Sequence, residues 1–207
     1  MIEAVISDFG GVVTVPLGEA FARANAEMGI PVEALGRAMR VAAARDGEPP
    51  IFKLERGQIT EVEFLAVLAE SLEEVLGHPV DLDGYGERLM GELKPNEPLL
   101  DYYRSLQARG IRFAICTNNV RAWQPRWLPL LPPGLFELIV DSGFEGTRKP
   151  EPEIYELCLT RLGLPAASCV FVDDLEINVV AARELGLHGV VFRDTAQTVA
   201  EIGSLVL

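Results

Sequence analysis

Short apolar runs that stop on polar side chains constrain this chain more than any other feature. "AVISDF", "RFAICT", "LIVDS" and "CVFVDD" read as buried strands, and "GVVF" near the end makes a fifth. Each is bounded by Gly, Pro, Asn or Asp. Helical patterns alternate with the last four: "PLLDYYRSLQARG", before the second, stops at Arg-Gly, "EIYELCLTRLG" follows a Lys-Pro-Glu-Pro start, and "EINVVAARELG" ends at Gly186. Strand and helix alternating in this way imply parallel pairing through right-handed crossovers. The expected fold class is therefore α/β, a doubly wound parallel sheet.

The first two strands lie about a hundred residues apart, far beyond an ordinary crossover. Most of that gap is helical in pattern: "GEAFARANAEMG", "PVEALGRAMRVAAARDG", "TEVEFLAVLAESLEEVLG" and "GYGERLMGEL". The expectation is a core domain of residues 1–15 and 95–207 with a helical lobe, 16–94, inserted into it, and "KPNEPLL" returning the chain to the sheet. A chain of 207 residues can bury one good core with a small accessory lobe.

The formal net charge of −13 and a pI of about 4.6 disfavour nucleic acid and anionic lipid as partners. No Lys or Arg precedes the first apolar stretch, and no run nears the ~20 residues of a membrane span, so neither export nor membrane insertion is expected. Cys116, Cys158 and Cys169 are an odd number without a C-x-x-C, which suits free thiols in a reducing cytoplasm. The pattern leaves monomer and homodimer open.

In an open parallel sheet, ligands bind beyond the carboxyl ends of the strands. At those ends stand Asp8, then Thr117, Asn118 and Asn119, then Arg148 and Lys149, then Asp173 and Asp174. Singly, such residues often cap helices or line turns. Together, at successive strand ends, they describe one crevice. Acids gathered there repel one another unless protons or a cation offset them, and a lysine among them suits an anionic substrate. Other motifs fall away. "DLDGYGERLMGE" has an EF-hand-like spacing, but Tyr85 and Arg88 sit where an oxygen ligand and an apolar residue belong, so a helix start is the better reading. His78 and His188 have no ligand spacing.

On these residues the chain resembles the haloacid dehalogenase-like superfamily of Asp-nucleophile hydrolases. "DFGGVV", "CTNN", "RKP" and "VFVDD" with Asn178 match its four motifs, and the long insertion stands where that family carries a helical cap. "FKLERGQITEVEF" and "TNNVRAWQPRW" are similar to the branch with sugar-1-phosphate phosphatases and the phosphatase domain of soluble epoxide hydrolase. The resemblance implies a Mg²⁺-dependent phosphatase for a small phosphorylated metabolite, a sugar phosphate being one candidate. It implies Asp8 as nucleophile and Lys149 as its catalytic partner. Thr117, Asn118 and Gly11 would hold the phosphoryl group, while Asp8, the carbonyl of Gly10, Asp173 and Asp174 would ligate the metal, with Asn178 behind them.

One position departs from the pattern. The family's phosphatases usually carry an acid/base aspartate two residues after the nucleophile, where this chain has Gly10. Such help is worth roughly 10²–10⁴-fold. Three readings follow: a phosphatase for esters whose leaving group needs little protonation, with Glu55 as a stand-in donor; a 2-haloacid dehalogenase; or a catalytically weak binding or regulatory protein. Phe52, Arg56, Arg121 and Trp123 are candidates for contacting the substrate beyond its phosphate.

Overall fold

The computed structural model describes residues 1–206, for Glu19 the backbone alone. Five strands, β1 Ala4–Ser7, β2 Arg112–Thr117, β3 Leu138–Asp141, β4 Cys169–Asp173 and β5 His188–Val191, form one sheet in the order β3-β2-β1-β4-β5. Every neighbouring pair is parallel. From β1 the chain winds outward to β2 and β3, then crosses to β4 and β5. The winding reverses between β1 and β4, and the crevice for ligands in such a sheet opens at that reversal.

Alternation along the strands sorts side chains onto two faces. Val5, Phe113, Ile115, Val170 and Val172 point into one buried cluster, and Ala4, Ile6, Ala114, Cys116, Cys169 and Phe171 into a second. Counting helices from the N-terminus, α1 Leu17–Glu27, α2 Val32–Asp46, α3 Pro50–Glu55, α4 Glu61–Leu76 and α5 Tyr85–Gly91 lie between β1 and α6 Glu97–Gln107. After β2 come α7 Gln124–Trp127, α8 Ser142–Glu145, α9 Pro152–Leu162, α10 Glu176–Glu184 and α11 Thr195–Val206. Leu99, Leu100, Tyr103 and Leu106 of α6 and Ile202 of α11 cover the first face. Ile154, Tyr155 and Cys158 of α9, with Val179 and Ala182 of α10, cover the second. With both faces covered, the strands can be continuously apolar. Cys116, Cys158 and Cys169 are buried and free.

The crossover from β2 to β3 departs from the expected regular helix. Pro125, Pro129, Pro132 and Pro133 interrupt it, and residues 121–130 form only short turns of helix around α7. Helices α3 and α11 have no counterpart among the expected elements, since their apolar positions are too short or too blended with neighbouring turns to stand out.

The inserted helices are well punctuated. Thr60 and Glu63 cap α4 reciprocally, Thr60 Oγ1 accepting the Glu63 N–H at 3.2 Å and the Glu63 carboxylate accepting the Thr60 N–H at 2.7 Å. The chain leaves and returns at adjacent points. Val15 N–H donates to the Lys94 carbonyl at 2.9 Å and Asn96 N–H to the Val13 carbonyl at 2.7 Å. Yet the apolar interior is continuous: Ala24, Ala38, Leu68 and Leu89 of the insert belong to the same cluster as Val5 and Ile115 of the sheet.

A shared core predicts shared unfolding. Leu68→Ala is expected to lower stability by about 2–5 kcal/mol and to leave a single denaturant transition, coincident by circular dichroism and tryptophan fluorescence. Two separated transitions would show that the insert melts by itself.

Candidate active site

Asp8 is the first residue beyond β1, held in line by its N–H, which donates to the Val172 carbonyl at 2.8 Å. The chain then turns sharply through Phe9–Val13. Gly11 has φ +82°, a conformation that favours glycine, and a Cβ there would stand 2.6 Å from Asp174 Oδ2. The glycine thus admits the Asp174 carboxylate against the turn. Its N–H donates to Thr14 Oγ1 at 3.1 Å, so the expectation that Gly11 offers that group to a substrate is corrected: the turn itself uses it.

Lys149 reaches the same point from the loop after α8. Its ammonium, 1% exposed, lies 2.7 Å from Asp8 Oδ1 and 2.7 Å from Asp173 Oδ2. Asp173 is fixed from behind by Asn178 Nδ2, at 3.0 and 3.1 Å from its two oxygens, and by the Leu175 N–H at 2.8 Å. The Asn178 carbonyl in turn accepts the Tyr155 hydroxyl at 2.9 Å. Carboxylate oxygens of Asp8, Asp173 and Asp174 all lie within 4.8 Å of one another.

Burial pushes the Asp8 carboxyl up to about 7, against the Lys149 ammonium that pulls it down; Asp173 and Asp174 push it further up. Burial and Asp173 likewise raise Asp174. Burial disfavours the charged form of Lys149, but Asp173 and Asp8 outweigh it and hold the ammonium above its ordinary range. Three carboxylates thus face one ammonium, and a divalent cation fits that excess of negative charge. The set is all oxygen, as Mg²⁺ prefers: Asp8, Asp173 and Asp174 would hold it, with the Gly10 carbonyl near by in the turn.

A cavity of about 350 Å³ opens from this cluster, with Asp8, Gly10, Thr117, Asn118 and Glu55 in its wall. Asn118 is placed differently from its expected task. Its amide donates to the Lys149 carbonyl at 2.9 Å and accepts the Lys149 N–H at 2.8 Å, so its side chain clamps the lysine's backbone. Glu55 Oε2 accepts the Arg148 Nε–H at 2.6 Å, and burial pushes the Glu55 carboxyl up against the pull of Arg148. Arg56 does not line the cavity: it is engaged by Glu151 and, at 2.9 Å, by Glu48. Its expected substrate contact is corrected accordingly, since both faces of the guanidinium are already neutralised. Phe52 lies under the Arg148 guanidinium, 3.9 Å from its ring centre. Arg121 donates to the Gly143 carbonyl at 3.0 Å, outside the cavity wall. Trp123 does line it, with its indole N–H on Glu61 at 2.6 Å.

Two features were missed by sequence reasoning. Arg148 was placed at the crevice, but its bond to Glu55 of the insert was not foreseen. Leu17 carries no signal in the sequence. Its methyls would lie 2.8 and 3.3 Å from a Cβ at position 10, so an apolar side chain fills the room an acid there would take.

The family model for haloacid dehalogenase-like hydrolases matches residues 2–186. The chain belongs to that family. It is 28% identical over 98% of its length to acyl-CoA dehydrogenase family member 10 of Mus musculus, of which it spans 19%. It is 32% identical over 56% of its length to a sesquiterpene phosphatase of Aspergillus oryzae, with 60% of that protein covered. Among solved structures, a family enzyme of Bacteroides thetaiotaomicron in complex with magnesium and inorganic phosphate superposes with a TM-score of 0.64 at 21% identity, covering 92% of this chain and 94% of that one. An L-2-haloacid dehalogenase superposes with a TM-score of 0.71 at 17% identity, covering 98% and 99%. Both share this chain's fold. No helix among the described residues of this hydrolase is long and apolar enough to cross a membrane.

Breaking a buried ion network from its centre is costly. Lys149→Met is expected to destabilise the protein by about 3–5 kcal/mol, read from denaturant midpoints, because it strands Asp8 and Asp173 together. An effect under about 1 kcal/mol would mean that the bridge contributes little.

Proposed function

We propose that this hydrolase is a Mg²⁺-dependent phosphatase that works through an aspartyl-phosphate on Asp8. The observation that carries the proposal is the bridge from Lys149 to Asp8 and Asp173 with Asp174 alongside, a site short of positive charge by more than one lysine can supply. Bound at Asp8, Asp173 and Asp174, Mg²⁺ supplies charge neutralisation for the attacking carboxylate and the phosphoryl oxygens. The relative that is a phosphatase, and the neighbour solved with magnesium and phosphate, support the same reading.

Asp8 attacks phosphorus through a carboxylate oxygen. The bond from phosphorus to the ester oxygen breaks, and that oxygen leaves with the electron pair and takes a proton from water. A second water then attacks phosphorus and gives up a proton to the hydroxide left by the first, the bond from phosphorus to Asp8 breaks, and inorganic phosphate leaves with the Asp8 carboxylate restored. Lys149 orients Asp8 and faces the transferred phosphoryl group. Thr117, at the end of β2, offers a hydroxyl to it, and Asn118 keeps Lys149 in register. Phosphoryl transfer is mostly positioning and charge stabilisation, which suits this set.

Residues 16–94 act as a cap over the site. Two contacts join α3 to the loop that carries Lys149: Glu55 to Arg148 and Arg56 to Glu151. Their closure would exclude water from the acyl phosphate. A dehalogenase is the second reading, favoured by Leu17 and Gly10, since halide leaves without a proton. The paired acids Asp173 and Asp174 favour phosphate.

With Mg²⁺, turnover of an aryl phosphate is expected; Asp8→Asn lowers it at least about 10⁴-fold. Chloride release from 2-chloropropionate without metal would replace this reading with the dehalogenase one, and silence in both assays with a binding protein. Because position 10 brings no acid, rates should fall steeply as the leaving group becomes more basic. Gly10→Asp combined with Leu17→Ala is expected to flatten that dependence, recovering about 10²-fold on alkyl esters.

A further inference from the structure

We propose that the organic half of the substrate is apolar: a phosphate monoester of a hydrophobic alcohol or phenol, on the order of a dozen non-hydrogen atoms in the whole ester, not a sugar phosphate. The proposal rests on the phosphatase reading above and concerns the part of the ester beyond the phosphorus.

The cavity has one polar end, at Asp8, Thr117 and Asn118. Beyond it the wall is built by the insert: Leu17 and Phe21 of α1, Leu35 and Met39 of α2, Phe64 of α4 and Leu89 of α5. The polar side chains that also border the chamber already have protein partners. Trp123 donates to Glu61 at 2.6 Å, Asn119 Oδ1 accepts the Val120 N–H at 2.8 Å, and Glu55 holds Arg148. Tyr85 adds a single phenol, which burial keeps protonated by raising its pKa to about 12. A sugar has several hydroxyls, and most of them would leave water for a wall with few spare partners. An apolar group gains from the same transfer.

Leu17 makes the selection sharper. Its methyls border the spot beside Gly10, so the atoms next to the ester oxygen meet hydrocarbon rather than a proton donor. Size follows from volume. A cavity of about 350 Å³, at about 30 Å³ for each heavy-atom centre as in liquid water, takes roughly a dozen such atoms, the phosphoryl group included. Sites of this volume, largely apolar with a few convergent polar groups, are usual for small-molecule recognition.

The test uses 4-n-alkylphenyl phosphates, whose leaving-group acidity stays nearly constant as the chain grows. With Mg²⁺, kcat/KM is expected to rise roughly three- to fourfold per methylene, to peak within the first few methylenes, where the whole ester fills the chamber, and to exceed the value for glucose phosphates at least about 100-fold. Met39→Trp is expected to move the peak to shorter chains; the wild-type series decides the matter if that variant does not fold. A second readout needs neither metal nor turnover: 4-alkylphenols should perturb tryptophan fluorescence saturably through Trp123, with affinity rising along the series. A flat series, or faster hydrolysis of glucose phosphates, overturns the apolar class and leaves the phosphatase reading standing. Tight binding of the alkylphenols with no ester hydrolysed sinks the phosphatase reading and supports the apolar chamber. If the alkylphenols do not bind and the rates show no length dependence, the proposal is overturned outright.

Discussion

A single buried ammonium organises this molecule. Lys149 sits between Asp8 and Asp173, which end two adjacent strands, and its Nζ lies 2.7 Å from an oxygen of each. Burying a lysine costs its hydration, and burying two carboxylates beside each other costs theirs. The three are tolerable only in one another's company. That mutual dependence explains the effort behind them: Asn118 grips the Lys149 backbone at both amide ends, Asn178 holds both oxygens of Asp173, and Tyr155 steadies Asn178. Groups that must keep their distances to a few tenths of an ångström are tied to the ends of rigid strands or braced from behind.

The same arrangement leaves negative charge in surplus. Asp174 adds a third carboxylate, admitted because Gly11 has no side chain to meet it. Burial and mutual repulsion raise both Asp8 and Asp174. A cation fits such a site. What stands opposite is hydrocarbon. The insert contributes little that could recognise a polar substrate, and its apolar side chains join the core of the sheet without a break. Chamber and scaffold are one packed body, and the ion pairs of α3 with Arg148 and Glu151 fasten them beside the lysine.

Much of this was legible before any coordinates. Strand-ending Asp8, Asp173 and Asp174 and the "RKP" lysine announced themselves because parallel strands carry few polar residues, so those that occur stand out. The helices between β1 and β2 were visible from the length of that gap and its helical spacing. The irregular crossover between β2 and β3 was less so, although its four prolines were there to be counted. Arg56 misled for a definite reason: a guanidinium in an acidic chain finds partners anywhere, and here Glu48 and Glu151 engage it.

What the sequence determined by itself was which ionisable groups gather beyond the strand ends and in what order, because period and punctuation place them after the strands and a parallel sheet has only one such edge for them to share. Tertiary structure alone decided their surroundings. No local pattern says that Leu17 fills the room beside Gly10, that Asn118 turns to the Lys149 backbone, or that five helices line one apolar chamber. Those are contacts between residues distant along the chain, set by how faces pack, and packing is a property of the folded whole rather than of any segment.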